Sequence, residues 1–279
     1  MRTSFLLQLC LILAIHNVLG GLPHPKQSYP EKVSTVSRTR TWDKRSLPSR
    51  KYFHESSFDS HYDARFGNRR LQYYNQRSHL SALIRAYLST MTDIGAETWL
   101  MHGSLLGWYW NRKIMPWDSD LDVQMSEKSM QHLADYYNMT LYHFELPGLH
   151  DSRDYMLEIN PHWVNASTGD VENKIDARWL DMTTGLYVDI TVLRWDKEAQ
   201  SRGIQGAVMC KDKHHYTHKD IFPLRTSVFE GMPASVPFAF ANVLVEEYGA
   251  MSLSNPIHAD HRFDASLQEW LPIAGRPQK

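Results

Sequence analysis

From residue 68 onward, the hydrophobic positions of the chain follow helical and strand spacing in turn. Apolar residues recur every three or four positions over 68–92, which predicts a long amphipathic helix that ends at Gly95. Short apolar or alternating runs predict strands at 97–101, 121–125, 155–159 and 186–193, and helical runs at 126–137 and 238–248. Because helices and strands are interspersed, the pattern predicts one α/β or α+β domain over residues 66–279.

The N-terminus has the order of a secretory signal peptide, predicted over residues 1–20. Arg2 precedes an apolar run over 5–15, and small residues follow at Gly20 and Gly21. The alternative is an uncleaved membrane anchor, but the run is shorter than the roughly 20 residues that a spanning helix needs. We therefore expect a protein of the ER or Golgi lumen, or a secreted one, with membrane association only if this segment stays uncleaved.

Residues 21–65 are predicted to form a disordered linker or pro-segment. The stretch up to Arg50 is rich in Pro, Ser, Thr, Lys and Arg and poor in large aliphatic residues. Lys44-Arg45 within it is either a dibasic processing site or a pair of solvated charges. Two N-glycosylation sequons, which begin at Asn138 and Asn165, agree with a secretory route.

Composition narrows the classes of function. The 279 residues include 30 Lys and Arg against 31 Asp and Glu, which gives a net charge of -1. This balance leaves no basic surplus to neutralise a phosphate backbone, so a nucleic-acid partner is excluded. The two cysteines are Cys10, in the signal segment, and Cys210, so the mature chain is expected to have one thiol and no internal disulfide.

Three aspartates carry the candidate chemistry. Asp118, Asp120 and Asp122 alternate, and if Leu121 and Val123 pack into the core on a strand, the three carboxylates project to the opposite face. Carboxylates crowded on one face repel one another unless a cation neutralises them. Hard oxygen ligands at this spacing suit Mg²⁺ or Mn²⁺, which in turn bind the phosphates of a nucleotide-activated substrate.

Two further features, one before and one after the aspartates in the sequence, support a phosphate-binding metal site. Gly103-Ser104 lies between a predicted strand and a predicted helix, where the backbone can approach a phosphate at a helix N-terminus. Asp189 lies between Val188 and Ile190 on a later strand, and a buried carboxylate needs a metal, a base or a hydrogen-bond network. The alternatives are a simple cap for Gly103-Ser104 and an exposed strand edge for Asp189.

Gly, Ser, Asp-x-Asp and a third Asp in this order are the pattern of the nucleotidyltransferase fold, a mixed sheet flanked by helices. The stretches HGSLLGWYW and PWDSDLDV resemble the signature of the LicD and fukutin-related phosphotransferases. The resemblance continues through GLYVDITVL, DIFPLRTSVFEGMPASVP and EEYGAMSL. The tryptophan-rich form with MPWDSDLDVQ is most similar to the fungal branch implicated in mannosylphosphate transfer to cell-wall glycans.

The resemblance implies a metal-dependent phosphotransferase. Such an enzyme moves a phospho-sugar, phospho-polyol or phosphocholine group from a nucleotide diphosphate donor, such as GDP-mannose, to a glycan hydroxyl and releases a nucleoside monophosphate. Mg²⁺ or Mn²⁺ is the implied cofactor, and the glycan acceptor is the second substrate.

Residue by residue, the resemblance assigns the following roles. Asp120 and Asp122 match the metal-binding pair, and Asp189 matches the third carboxylate, which shares the metal or takes the proton of the acceptor hydroxyl. Gly103 and Ser104 match the phosphate-contacting turn. Two basic residues between the motifs either contact the donor phosphate or lie in a solvated loop; these are Arg112 and Lys113.

Two other groups of residues have alternative interpretations. One spacing, Cys-x3-His-x3-His with an extra histidine, could supply zinc ligands, although no fourth ligand is evident; its members are Cys210, His214, His215 and His218. Three tryptophans could stack on a sugar or base or pack in the core. Core packing is favoured for Trp108, and neither role is favoured for Trp110. Trp117, beside Pro116 and Asp118, is equally suited to core packing and to stacking on a ligand.

Two other functions compete with phosphoryl transfer. In a glycosyltransferase, Asp-x-Asp would hold the metal of a nucleotide-sugar while the sugar moves, but this does not explain Gly103-Ser104 or Asp189. A non-catalytic accessory protein would keep the fold and assist a partner transferase. Release of nucleoside monophosphate by the purified protein distinguishes the three.

Overall fold

The computed structural model of the protein describes residues 31–37, 50–145 and 152–274. Its helices are α1 (Tyr73–Asp93), α2 (His102–Asn111), α3 (Glu127–Tyr136), α4 (Lys197–Ser201), α5 (His218–Ile221) and α6 (Phe240–Tyr248). The first nine strands are β1 (Glu31–Ser37), β2 (Thr98–Leu100), β3 (Asp122–Ser126), β4 (Thr140–Glu145), β5 (Arg153–Ile159), β6 (Ala177–Asp181), β7 (Tyr187–Trp195), β8 (Ala207–Met209) and β9 (His215–Thr217). Five short strands follow, β10 (Arg225–Phe229), β11 (Met232–Val236), β12 (Ile257–His258), β13 (His261–Asp264) and β14 (Glu269–Pro272).

One sheet organises the described residues. Its strand order is β1-β4-β5-β6-β7-β3-β2, and β8 and β9 extend from the end of β7. Neighbouring strands run antiparallel except β3 and β7, which are parallel. The predicted mixed sheet flanked by helices in a single domain is therefore confirmed.

The predicted elements form where the spacing indicated, with ends that differ by a few residues. α1 begins at Tyr73, five residues after the predicted start. The side chain of Ser126 accepts a hydrogen bond from the backbone N–H of Ser129 and so caps α3. α6 ends at Tyr248 and is followed by Gly249, whose φ of 79° is a conformation that favours glycine.

One face of the sheet carries the hydrophobic core. α1 buries Leu80, Leu83 and Tyr87 completely against it, and the Tyr87 ring meets that of Trp179 on β6 edge-on at 6.2 Å between centroids. Full burial of such a side chain stabilises the fold by about 1.5–3 kcal/mol. α1 therefore covers this face of the sheet, and the opposite face is left for other parts of the chain to cover.

The opposite face carries a row of charged residues across four neighbouring strands. Asp122 on β3 is in register with Asp189 on β7, Asp189 with Arg178 on β6, and Arg178 with Glu158 on β5. Arg178 and Glu158 are only 2% and 3% exposed. Buried charges require partners, so another part of the chain must cover this row.

Residues 50–65 supply that cover, which corrects the predicted domain boundary at residue 66. Phe53 and Tyr62 are buried, Glu55 pairs with Arg178, and Arg65 hydrogen-bonds Glu158 at 2.5 and 3.0 Å. These residues belong to the folded domain because they neutralise the charged row. The predicted linker included residues 50–65 because the stretch before them, up to Arg50, is rich in polar residues and proline.

Several predictions on processing lie partly or wholly outside the described residues. The signal peptide (1–20) and Lys44-Arg45 are outside them. Within the described ranges, no helix has the length and apolarity needed to cross a membrane. Asn165 is exposed, whereas Asn138 is half-buried and its side-chain oxygen accepts a hydrogen bond from the backbone N–H of Ile159. Of the two sequons, the one at Asn165 is the more accessible.

Candidate active site

The only parallel strand pair in the described part of the sheet places two predicted carboxylates side by side. Asp122 begins β3 and is in register with Asp189 on β7, whose backbone N–H also donates to the carbonyl of Leu121 at 2.9 Å. In-register residues of neighbouring strands project to the same face. Asp122 and Asp189 therefore face the same space.

Asp118 and Asp120 reach this space from the loop before β3. The predicted strand over 121–125 begins only at Asp122, so the three aspartates do not lie on one strand as expected. They nevertheless line a common cleft, because Leu121 is buried and anchors the end of the loop. The loop also brings the imidazole of His61 within 3.9 Å of the Asp120 carboxylate.

Gly103 and Ser104 in the first turn of α2 hold the loop and β3 in place. A Cβ at residue 103 would lie 2.7 Å from a carboxylate oxygen of Asp118, so only glycine fits here without displacing that side chain. The Ser104 hydroxyl is buried and accepts a hydrogen bond from the backbone N–H of Asp122 at 3.0 Å. Gly103 lines the cleft, whereas the Ser104 hydroxyl positions Asp122.

The cleft holds several carboxylates and too little positive charge nearby to neutralise them. Burial and the neighbouring Asp120 and Asp122 raise the pKa of Asp118 well above its ordinary range. Burial, with Asp120 and Asp189 close by, raises the pKa of Asp122 to about 8 although His102 opposes the shift. The folded arrangement therefore favours an additional positive charge at this position.

The donor set suits a hard divalent cation. Asp120 and Asp122 line the cleft, and Asp189 is in register with Asp122 on the neighbouring strand. All three offer carboxylate oxygens, which are the ligands that Mg²⁺ and Mn²⁺ prefer. Their mutual repulsion is the energetic reason for a cation to bind there. These three residues are the ones that would hold it.

Arg178, on the neighbouring strand β6, positions the carboxylate of Asp189. Its Nε donates to Asp189 Oδ1 at 2.8 Å, and its Nη2 donates to Glu55 Oε1 at 2.9 Å. The guanidinium lies between the rings of Tyr187 and Phe53, 3.7 and 4.7 Å from the two centroids. Both contacts depend on the planar, forked geometry of arginine.

Arg178→Lys keeps the charge but loses the fork, so we expect the activity of the site to fall about 10–100-fold, the usual effect of removing a group that orients a metal ligand. The loss should appear in kcat more than in KM, because Arg178 is a positioning residue. Arg202→Lys, in an exposed pair with Glu198, is the matched control and should leave the rate unchanged. Equal rates for Arg178→Lys and wild type would contradict this role.

Aromatic side chains form the other wall of the cleft, which encloses about 380 Å³. Trp117 packs edge-on against Trp270 of β14 at 4.8 Å between centroids and lies 5.1 Å from the His258 ring. Trp110 also borders the cleft, and its Nε1 donates to the carbonyl of Ser252. Trp108 instead is buried and bonded to Ser227, in agreement with the core position favoured from the sequence.

Arg112 and Lys113, which were predicted either to contact the donor phosphate or to lie in a solvated loop, are not placed beside the aspartates. The Arg112 guanidinium stacks 4.1 Å from the Trp108 ring centroid and donates to the Trp108 carbonyl at the end of α2. Lys113 pairs with Glu269. Both side chains are engaged in holding α2 and the C-terminal strands, and neither lines the cleft.

The zinc group predicted from Cys210 and three histidines does not assemble. His215 pairs with Asp196 at 3.1 Å, and His218 stacks between Trp195 and Phe222. Their side chains are directed to other partners because β9 ends at Thr217 and α5 begins at the next residue.

Sequence reasoning missed several residues that shape the site. Arg178 interrupts the apolar segment ARWLD just as Asp189 interrupts VDI, so the same signal could have identified it. Glu55 and His61 lie in a stretch assigned to the linker, and the aromatic residues Tyr52, Phe53, Phe58 and Tyr62 around them were the available sign of a folded segment.

Comparisons with known proteins place the site in a family context. The model of the family described as "LicD/FKTN/FKRP, nucleotidyltransferase domain" matches residues 95–239, slightly more than half of the chain. Mannosyltransferase regulator 4 of Saccharomyces cerevisiae is 31% identical over 188 residues, which are 62% of this chain and 16% of that protein. Mannosyltransferase regulator 14 of the same yeast is 33% identical over 190 residues, 64% of this chain and 20% of that protein. The chain thus spans a fifth or less of these relatives, and the family match covers both motifs and Asp189.

Proposed function

Because this chain belongs to the LicD/FKTN/FKRP nucleotidyltransferase family, we propose that it is a metal-dependent phosphotransferase that modifies glycans. The group transferred would be a phospho-sugar, with mannosylphosphate favoured, from a nucleotide diphosphate donor such as GDP-mannose to a glycan hydroxyl. Nucleoside monophosphate would be the second product. The names of the yeast relatives, which mention mannosyltransferase, are in keeping with a mannose-containing donor.

One observation carries the proposal: Asp189 is in register with Asp122 beside the loop that contains Asp120. A glycosyltransferase needs only the Asp-x-Asp pair for its metal and leaves Asp189 unexplained. Phosphoryl transfer uses all three carboxylates, since both the donor phosphates and the attacking hydroxyl must be held in line.

In such a reaction, the residues of the site would have separate roles. Asp120 and Asp122 would hold a divalent cation, which neutralises phosphate charge when bound. Asp189 has Oδ1 bonded to Arg178, so its second oxygen is available to the cation or to the acceptor hydroxyl. Catalysis would then consist of positioning and charge neutralisation at the end of two adjacent strands.

Trp117→Ala is expected to raise the KM for the donor about 10-fold while kcat changes little, because the ring offers a flat apolar face to the base or sugar beside the aspartates. Trp108→Phe is the control for a tryptophan in the core. Initial rates at varied donor concentration measure both constants. An unchanged KM in Trp117→Ala would place the donor elsewhere.

The proposed function is tested by incubating the full chain with Mg²⁺ or Mn²⁺, a panel of nucleotide diphosphate donors and a mannose-containing glycan. Nucleoside monophosphate release together with a phosphorylated glycan supports phosphoryl transfer. Release of nucleoside diphosphate with a lengthened glycan would instead indicate glycosyl transfer.

A regulatory role is the second candidate, and the printed names of the two yeast relatives favour it. A regulator would stimulate a separate mannosyltransferase without releasing nucleoside monophosphate itself. Stimulation that persists in an Asp120→Asn, Asp122→Asn double variant would favour this alternative over catalysis. The secretory location stays a prediction, since the signal segment lies outside the described residues.

A further inference from the structure

A second group of titratable side chains lies where the start of α2 meets the turn between β8 and β9. His102 is the first residue of α2, Asp212 and His214 lie in the turn, and Glu247 reaches the group from α6. These residues come from three separate segments of the chain. None of them has a role in the phosphotransferase proposed above, and only His214 belonged to the zinc group predicted from the sequence.

The spacing within this group is that of ligands around one cation. One ligand atom each of His102, Asp212 and His214 lies within 4.8 Å of the others. Nε2 of His102 and Nε2 of His214 lie 3.5 and 3.8 Å from the same oxygen of Asp212. These separations are long for hydrogen bonds, but two ligands of a tetrahedral zinc ion are about 3.3–3.5 Å apart.

Glu247 orients the imidazole of His102 from behind and lies near that of His214. Nδ1 of His102 lies 3.1 Å from one of its carboxylate oxygens, and Nδ1 of His214 lies 3.8 Å from the other. Tyr216 also donates to Glu247 at 2.8 Å, which holds the carboxylate in place. A histidine that gives its Nδ1–H to a carboxylate presents a lone pair at Nε2, the usual arrangement of metal-binding histidines.

Two atoms of the group lack the partners that buried polar atoms normally have. Nε2 of His102 and Oδ1 of Asp212 are both buried without a hydrogen bond. His102 also has a φ of 50°, an unusual backbone conformation for a non-glycine residue, and such strain concentrates at functional sites.

We propose that His102, Asp212 and His214 form a zinc site in which Glu247 orients the imidazole of His102. Two nitrogens and one carboxylate oxygen are a donor set typical of zinc, in contrast to the all-oxygen set of the aspartate cleft. Three protein ligands leave one position for water. The site would tie α2 to α6 and to the turn after β8, directly beside Gly103.

Zinc binding is tested on the full chain after removal of metals with a chelator. We expect the wild type to bind one Zn²⁺ per chain in the presence of excess Mg²⁺, and to show the intense visible absorption of tetrahedral cobalt when Co²⁺ replaces zinc. Zn²⁺ should also raise the midpoint of thermal unfolding, since it binds the folded state. Glu247→Gln should weaken binding about 10–100-fold.

Matched variants identify the ligands. His214→Ala and Asp212→Asn should lose stoichiometric zinc, whereas His215→Ala, at the next residue and the start of β9, should bind as the wild type does. Asp120→Asn should also keep its zinc, which separates this site from the aspartate cleft and from the proposed transfer reaction. If His214→Ala does not fold, Asp212→Asn, which changes no volume, carries the test together with the cobalt spectrum.

Three results would overturn the proposal. A wild type that takes up no stoichiometric Zn²⁺ would mean that the group is an ion-pair network with a protonated His102. Equal loss of zinc in His215→Ala and His214→Ala, or loss in Asp120→Asn, would mean that the ion binds elsewhere. The weak absorption of octahedral cobalt would exclude the proposed ligand geometry.

Discussion

Asp122→Asn is expected to lower nucleoside monophosphate release by about a thousandfold or more, which corresponds to about 4 kcal/mol of lost transition-state stabilisation. Asparagine keeps the size of the side chain but removes the charge that would balance a divalent cation at the start of β3. Asp120→Asn should have a similar effect, because its carboxylate lines the same cleft. Initial rates with saturating donor and varied Mg²⁺ measure the loss.

The stability of the same variant makes the prediction more specific. Burial of the Asp122 carboxylate, with Asp120 and Asp189 close by, raises its pKa to about 8. Replacing it by neutral Asn relieves repulsion, so without metal the midpoint of thermal unfolding should be unchanged or higher. Mg²⁺ should raise the midpoint of the wild type and leave that of Asp122→Asn unchanged.

Asp135→Asn is the matched control, since Asp135 is an exposed residue of α3 whose carboxylate accepts a hydrogen bond from Gln131 within the same helix. It should behave as the wild type in both measurements. A fully active Asp122→Asn, or wild-type activity that survives EDTA, would exclude a cation at the aspartates.

The local pattern of the sequence predicted elements better than it predicted their pairing. The helices α1 and α6 and the strand β7 were expected from spacing alone, because burial of one face imposes the period. That β3 and β7 pair in parallel depends on contacts between residues more than 60 positions apart in the sequence, which no local pattern encodes. The resemblance of the motifs to a known family, since confirmed, was what suggested that Asp189 faces Asp122.

The sequence did not predict residues 50–65 or the C-terminal strands as parts of the fold, because contacts distant in the sequence hold both in place. Residues 50–65 are polar in composition, but their charges neutralise Arg178 and Glu158 inside the fold, so polarity there does not mean exposure. The C-terminal strands β12–β14 are two to four residues long, which is too short for an alternating pattern, and half of their residues are exposed. Trp270 and its neighbours Trp110 and Trp117 hold them by aromatic contacts that spacing does not show.

Asp189→Asn is expected to abolish transfer as completely as Asp122→Asn does, and saturating metal and donor should not restore it. In the proposed reaction, Asp189 is the carboxylate that would distinguish phosphoryl transfer from glycosyl transfer, and neither metal nor donor can replace a missing ligand or base. Product formation with each donor, measured over a range of Mg²⁺ concentrations, gives the result. Substantial phosphoryl transfer by this variant would remove the main argument for the proposed reaction.

The two Asp→Asn variants should differ in stability although they lie side by side on neighbouring strands. Asp189 accepts a hydrogen bond at 2.8 Å from the buried guanidinium of Arg178, which has Glu55 as its other charged partner. Neutralising Asp189 leaves part of that buried charge uncompensated, at a cost of about 1–3 kcal/mol, so the unfolding midpoint should fall by several degrees. In a double variant with Arg178→Met the midpoint should recover while activity stays lost, because the buried charge is then gone but the carboxylate is still missing.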